Sequence, residues 1–138
     1  MKISIFGLGY VGAVSLACLS RDGHDVIGVD IDRAKLDLIL AGKTPVVEEG
    51  MVDLMAQVAA NGRVTVTTDA QRAVLDSEIS LVCVGTPSAA NGSQDQGAIL
   101  RLAEDIGRAI GEQRAPHVVV ALRSLGRQEP PKAKPGLR

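Results

Sequence analysis

Near its N-terminus the chain breaks off an apolar run into three closely spaced glycines. Lys2-Ile3-Ser4-Ile5-Phe6 is apolar and β-branched, and it leads directly into Gly7-Leu8-Gly9-Tyr10-Val11-Gly12. This is G-x-G-x-x-G between an expected strand and an expected helix, the setting in which the pattern has a mechanical meaning. Gly7 allows a tight turn off the strand. Gly9 lets a diphosphate approach the backbone, and Gly12 lets the helix pack closely. The helix then aims its unpaired N–H groups and positive dipole end at the phosphates. Taken alone the pattern is weak, since glycine-rich turns also serve only to pack a helix on a strand.

The next strand supplies the second half of the pattern. Asp25-Val26-Ile27-Gly28-Val29-Asp30 ends in an acid 18 residues after Gly12. A carboxylate there accepts hydrogen bonds from the adenosine ribose hydroxyls of NAD and repels the 2′-phosphate of NADP. The bland alternative is that Asp30 merely caps the following helix. With the glycine loop at this distance, dinucleotide binding is the stronger reading, and NAD is the expected cofactor.

A chain of 138 residues suits one domain with a sizeable core. Phe6 and Tyr10 are its only aromatic residues, so Val, Ile, Leu and Ala must build that core. Such cores belong to parallel strands covered by helices on both faces. No apolar run is long enough to span a membrane, and the strand starts at once, without the pattern of a signal peptide. Cys18 and Cys83 lie far apart without metal-ligand spacing, and are expected to be buried, reduced thiols of a cytoplasmic protein. His24 and His117 receive no role, and no metal is expected. From Arg114 onward six basic residues face a single acid, while the rest of the chain is mildly acidic. Without interleaved aromatics this basic tail does not indicate nucleic acid or membrane binding.

The remaining pattern alternates strands and helices. A helix is expected from Val11 to about Asp22, with Val14, Leu16, Ala17 and Leu19 inward. Asp32 caps a second helix to Ala41, with Leu36, Ile39 and Leu40 on one face. A third spans about Met51 to Ala60. Strands follow at 63–67 and 79–84, separated by a short helix capped by Asp69. After a loop to about Gly97 come a helix over 98–112 and a last strand over 118–122. This order dictates an α/β fold, a Rossmann-type doubly wound parallel sheet with right-handed crossovers. The Rossmann precedent gives strand order 3-2-1-4-5, with ligand over the carboxyl ends of strands one and four. The turn Val84-Gly85-Thr86-Pro87 then falls beside the glycine loop. Thr86 offers a hydroxyl to the nicotinamide-side ribose or phosphate, or else simply ends a strand. Lys35 lies close enough to Asp30 to reach the ribose, and is equally placed to be a solvated charge.

Several stretches together resemble the nucleotide-sugar 6-dehydrogenase family, which includes the UDP-glucose and GDP-mannose dehydrogenases. They are Ile3–Gly12, Gly23–Asp30 and Cys83–Ser88, with Thr68-Asp69 and Ala73–Ser77 between them. The opening strand, Gly12-Ala13-Val14 and Asn91-Gly92 are most similar to the GDP-mannose branch, with a UDP-glucose enzyme the alternative. The resemblance implies oxidation of a sugar C6 alcohol to a carboxylate in two steps, using two NAD and a cysteine-bound intermediate. It implies cofactor contacts at Gly7, Gly9, Tyr10, Val11 and Gly12 in the glycine loop, Asp30 and Lys35 at the ribose, and Thr86 near the nicotinamide half. The family's catalytic cysteine, its lysine, its sugar-nucleotide pocket and its dimerising helix have no counterpart here. The expectation is a cofactor-binding portion that does not oxidise sugar alone, with an apolar sheet edge or helix face exposed.

The resemblance ceases after the fifth strand. The family continues with an Arg-Ser-Thr segment whose threonines line the cofactor site, whereas this chain reads Ala121-Leu122-Arg123-Ser124-Leu125-Gly126. Glu48-Glu49-Gly50 also replaces the usual Glu-Pro-Gly, and Ala98 stands where a Tyr is common. The expected division is therefore a Rossmann domain over 1–122 and a disordered basic, proline-rich tail over 123–138. Its abrupt onset reads as a frameshifted or truncated frame, with a natural tail the alternative. Two other classes remain open on the residues alone. One is a different dehydrogenase, of the 3-hydroxyacyl-CoA or ketopantoate type, against which Val84–Ser88 argues. The other is a non-catalytic nucleotide-binding module.

Overall fold

The computed structural model describes residues 1–44, 49–83, 96–112 and 116–121. Its elements are β1 (Lys2–Phe6), α1 (Tyr10–Arg21), β2 (Asp25–Val29), α2 (Arg33–Leu40) and α3 (Met51–Ala60), then β3 (Val64–Thr67), α4 (Ala70–Leu75), β4 (Ile79–Val82), α5 (Gln96–Glu112) and β5 (Val118–Ala121). The five strands form one sheet in the order β3-β2-β1-β4-β5, and every neighbouring pair is parallel. This is the Rossmann-type arrangement the alternation dictated. The expected loop lies outside the described residues over 85–95, but its last two expected residues, Gln96 and Gly97, already belong to α5; the tail over 123–138 and Leu122 lie outside the described residues.

Side-chain alternation along β1 divides the core into two layers. Ile3 and Ile5 pack with Leu16 and Ala17 of α1, Met55 and Val58 of α3, and Leu36 and Ile39 of α2. Phe6 points the other way, into a cluster with Val29, Ala73 and Val74 of α4, and Ile106 and Ala109 of α5. Ile5 and Leu16 are fully buried, and Phe6 nearly so. Burial of side chains this size contributes about 1.5–3 kcal/mol each.

The edges of the fold depart from the simple pattern. Leu40 projects into solvent, because α2 lies beside the sheet's β3 edge and only Leu36 and Ile39 reach the core. Val14 and Leu19 pack against the core from half-buried positions, as expected, while Ala13 and Ser20 join Leu16 and Ala17 among the buried residues of α1. Cys18 is likewise half-buried and not in the core, while Cys83 is buried just past the end of β4. All four residues of β5 are exposed, so this edge strand presents bare valines.

Beneath the sheet's α4 face runs a line of hydroxyls. Ser4 and Ser80 occupy paired positions on β1 and β4, with their Oγ atoms 2.7 Å apart. The Ser77 hydroxyl reaches Ser4 at 2.9 Å and the Ala73 carbonyl at 2.7 Å. At the far end His117 Nε2 lies 2.8 Å from Ser80 Oγ. Buried polar groups need such partners, and these hydroxyls supply them to one another.

Candidate dinucleotide site

The ends of β1 and β2 are locked together where the chain enters the glycine loop. Gly7 N–H donates to the Val29 carbonyl at 2.8 Å, and Cys83 N–H donates to the Phe6 carbonyl at 2.8 Å. Gly7 then adopts φ 95°, a left-handed conformation that glycine reaches without penalty. Leu8 follows with its side chain fully buried. The second strand ends at Val29, one residue earlier than the sequence suggested, which leaves Asp30 free to turn its side chain back over the loop. Its Oδ2 accepts the Leu8 N–H at 2.8 Å, and its Oδ1 accepts the Asp32 N–H at 2.9 Å. Lys35 Nζ stands 4.0 Å from Oδ2.

Helix α1 starts at Tyr10 with Gly9 as its N-cap. That cap has no side-chain hydrogen bond, and the helix has no acid in its first turn. The contrast with α2 and α4 is informative. Asp32 accepts the Ala34 N–H, and Asp69 accepts the Arg72 N–H, so those helix starts are closed by their own carboxylates. The start of α1 has neither an acid in its first turn nor a side-chain cap, which suits it to an anion from outside.

Gly9 and Gly12 serve different needs. A Cβ on Gly12 would meet the Gly7 carbonyl, so this glycine is required by the protein itself. Gly9 has φ −77°, and a Cβ there would meet nothing within 4 Å among the described residues. Neither that φ nor packing against the described residues demands glycine at that position. The space is what a diphosphate lying against the loop would fill.

Around this loop opens a groove of about 730 Å³, lined by Gly7, Gly9, Tyr10, Val11, Asp30 and Lys35 among others. The structure therefore brings six of the eight expected site residues to one surface. Gly12 lies behind them, against Gly7. Thr86 lies outside the described residues. The far wall comes from residues the sequence reading left unassigned, notably Gln71 at the start of α4 and Arg101, Leu102 and Asp105 on α5. Their signal was topological, because both helices begin above the carboxyl edge of the sheet. Cys83 also faces the groove, and its burial pushes the thiol up to about 11, which leaves it protonated and unreactive. Among the described residues no three His, Cys, Asp or Glu side chains gather as a metal site would need, and no helix is long and apolar enough to cross a membrane.

Known proteins share this architecture. The model of the UDP-glucose/GDP-mannose dehydrogenase family, NAD binding domain, matches residues 1–124. GDP-mannose 6-dehydrogenase of Pseudomonas aeruginosa is 54% identical over 120 residues, which cover 87% of this chain and 28% of that enzyme. The Azotobacter vinelandii GDP-mannose 6-dehydrogenase is 48% identical over the same shares of each chain. A crystal structure of a ternary complex of the Pseudomonas aeruginosa GDP-mannose dehydrogenase superposes with a TM-score of 0.83 at 52% identity, over 91% of this chain and 29% of that one. This chain thus spans little more than a quarter of the length of the relatives it matches.

Proposed function

Because this chain belongs to the UDP-glucose/GDP-mannose dehydrogenase family, in the NAD-binding domain of that family, we propose that it is the cofactor-holding portion of a nucleotide-sugar 6-dehydrogenase of the GDP-mannose type. The cofactor is NAD, and when bound it supplies an acceptor for hydride from a substrate carbinol. The chain's own residues bind and orient it. Backbone N–H groups at Tyr10 and Val11 take the diphosphate, while Asp30 and Lys35 hold the adenosine ribose. Thr86 belongs to the nicotinamide half in this reading. The domain runs to residue 122, with 123–138 outside it.

The observation that carries the proposal is the meeting of Asp30 with the glycine loop, 2.8 Å from the Leu8 N–H. It puts one fixed carboxylate beside a helix start that has no acid in its first turn and no side-chain cap. A carboxylate has about four lone-pair positions, so two remain for ribose hydroxyls after the two backbone N–H groups are served. A 2′-phosphate in the same place would face like charge, which favours NAD over NADP.

For the longer enzymes that share this domain, the proposed reaction takes the C6 alcohol of the nucleotide sugar to a carboxylate in two oxidations. These 138 residues alone, in this reading, bind NAD and do not turn over the sugar. Calorimetry with NAD and NADP tests the first part: NAD should bind at least about tenfold tighter, and no binding at millimolar NAD overturns it. An assay with GDP-mannose and UDP-glucose tests the second, and NADH formation from either sugar overturns the claim of inactivity.

A further inference from the structure

In an extended strand, successive N–H groups point to opposite sides. Gly7 and Leu8 break that rule. Gly7 donates to the Val29 carbonyl of β2, and Leu8, after the left-handed turn at Gly7, donates to Asp30 at the end of the same strand. The second acceptor is a side chain standing where the ladder has run out of carbonyls. Leu8 is pinned from both directions, with its side chain fully buried against Gly28 and its N–H on the carboxylate. The other carboxylate oxygen takes the Asp32 N–H, and Asp32 in turn caps α2. With only 11% of its side chain exposed, Asp30 ties the glycine loop, the end of β2 and the start of α2 into one unit.

From this we infer that Asp30 is a positioning residue for the glycine loop: its carboxylate holds the diphosphate seat in shape before any dinucleotide arrives, apart from any grip on the ribose. The inference rests on the dinucleotide reading of the groove and adds to it a role that needs no ribose hydroxyl. Without the carboxylate, the partly buried Leu8 N–H loses its acceptor and the left-handed turn at Gly7 loses the bond that fixes its far side. The loop then samples conformations in which the N–H groups of the first turn of α1 no longer converge. The penalty falls on any ligand that uses the diphosphate seat.

The discriminating probe is 2′,3′-dideoxyadenosine diphosphate, which keeps adenine and diphosphate but has no ribose hydroxyls for Asp30 to hold. Asp30→Ala should weaken it roughly tenfold to a hundredfold in calorimetry, and Asp30→Asn, which retains one acceptor oxygen, should recover part of the loss. If Asp30→Ala leaves this probe within about twofold of the wild type while NAD weakens, the residue acts through the ribose alone and the inference is overturned. Amide exchange in the ligand-free protein decides the matter independently. The Leu8 N–H should be protected in the wild type and exchange at least about tenfold faster in Asp30→Ala. An unprotected Leu8 amide in the wild type overturns the inference even if neither variant folds. Failure of the wild type to bind NAD or the probe would instead remove the dinucleotide reading, and the exchange result would still judge the brace.

Discussion

Gly12 and Gly7 approach so closely that a Cβ on Gly12 would overlap the Gly7 carbonyl oxygen and crowd its carbon. No rotamer change relieves this contact, because both partners are backbone. The first turn of α1 is thereby pressed against the loop that precedes it, which fixes the direction in which its N–H groups point. Gly12→Ala must push α1 off the loop. The expected cost is about 3 kcal/mol or more, at the upper end for overpacking, with NAD binding lost in parallel. Urea denaturation followed by circular dichroism measures the first effect. A variant as stable as the wild type would show that the helix start can shift freely.

Gly9→Ala should behave in the opposite way. Its φ of −77° suits any residue, and the added methyl meets nothing within 4 Å among the described residues. Stability should stay within about 0.5 kcal/mol of the wild type. NAD affinity should fall at least about tenfold, because the methyl stands where the diphosphate must lie. Paired thermal denaturation and calorimetry check both halves. Unchanged affinity would mean that the ligand does not approach Gly9.

These glycines mark the limit of what residue order alone conveys. Element order was legible because the Val- and Ile-rich runs alternate with amphipathic segments, and strand order followed from crossover handedness and fold precedent. Asp30 was legible from its spacing after Gly12. Its bond to the Leu8 N–H was not, since Leu8 reads as an interchangeable apolar residue of the motif and the left-handed turn at Gly7 determines where its N–H points. Leu40 was misplaced because helical periodicity says which residues share a face, but not how far the sheet extends beneath it. The link between His117 and Ser80 joins residues 37 apart and exists only because β5 pairs with β4 in one register.

The two cysteines should separate cleanly toward thiol reagents. Cys83 is buried past the end of β4, and loss of water raises its thiol to about 11, so almost none is thiolate near neutral pH. Cys18 is half-buried on α1. Iodoacetamide at about pH 8, read by peptide mass spectrometry, should modify Cys18 in the native protein and reach Cys83 only after unfolding. Rapid native labelling of Cys83 would show that the carboxyl end of β4 opens to solvent far more than its packing indicates.

His117 gives the fold a pH dependence of definite sign. Its Nε2 lies 2.8 Å from Ser80 Oγ at the end of the buried hydroxyl line, and its Nδ1 is buried with no hydrogen-bond partner among the described residues. Burial lowers its pKa below the ordinary 6.5, and the Ser77 backbone opposes this to a smaller extent. The folded state therefore binds this proton less readily than the unfolded state. Stability from this group is full above about pH 6.5 and is lost as pH falls through that value toward the lower folded one. Because the ring is partly exposed, the loss is modest, and other groups titrate in acid as well. A comparison with His117→Gln isolates it, since Gln keeps a polar contact for Ser80 but carries no titrating ring. Between about pH 7 and about pH 5 the wild-type melting temperature should fall more steeply than that of the variant. Parallel curves would mean that the ring takes up its proton as easily in the folded chain as in the unfolded one, and that β5 docks on β4 without penalty to a charged imidazole.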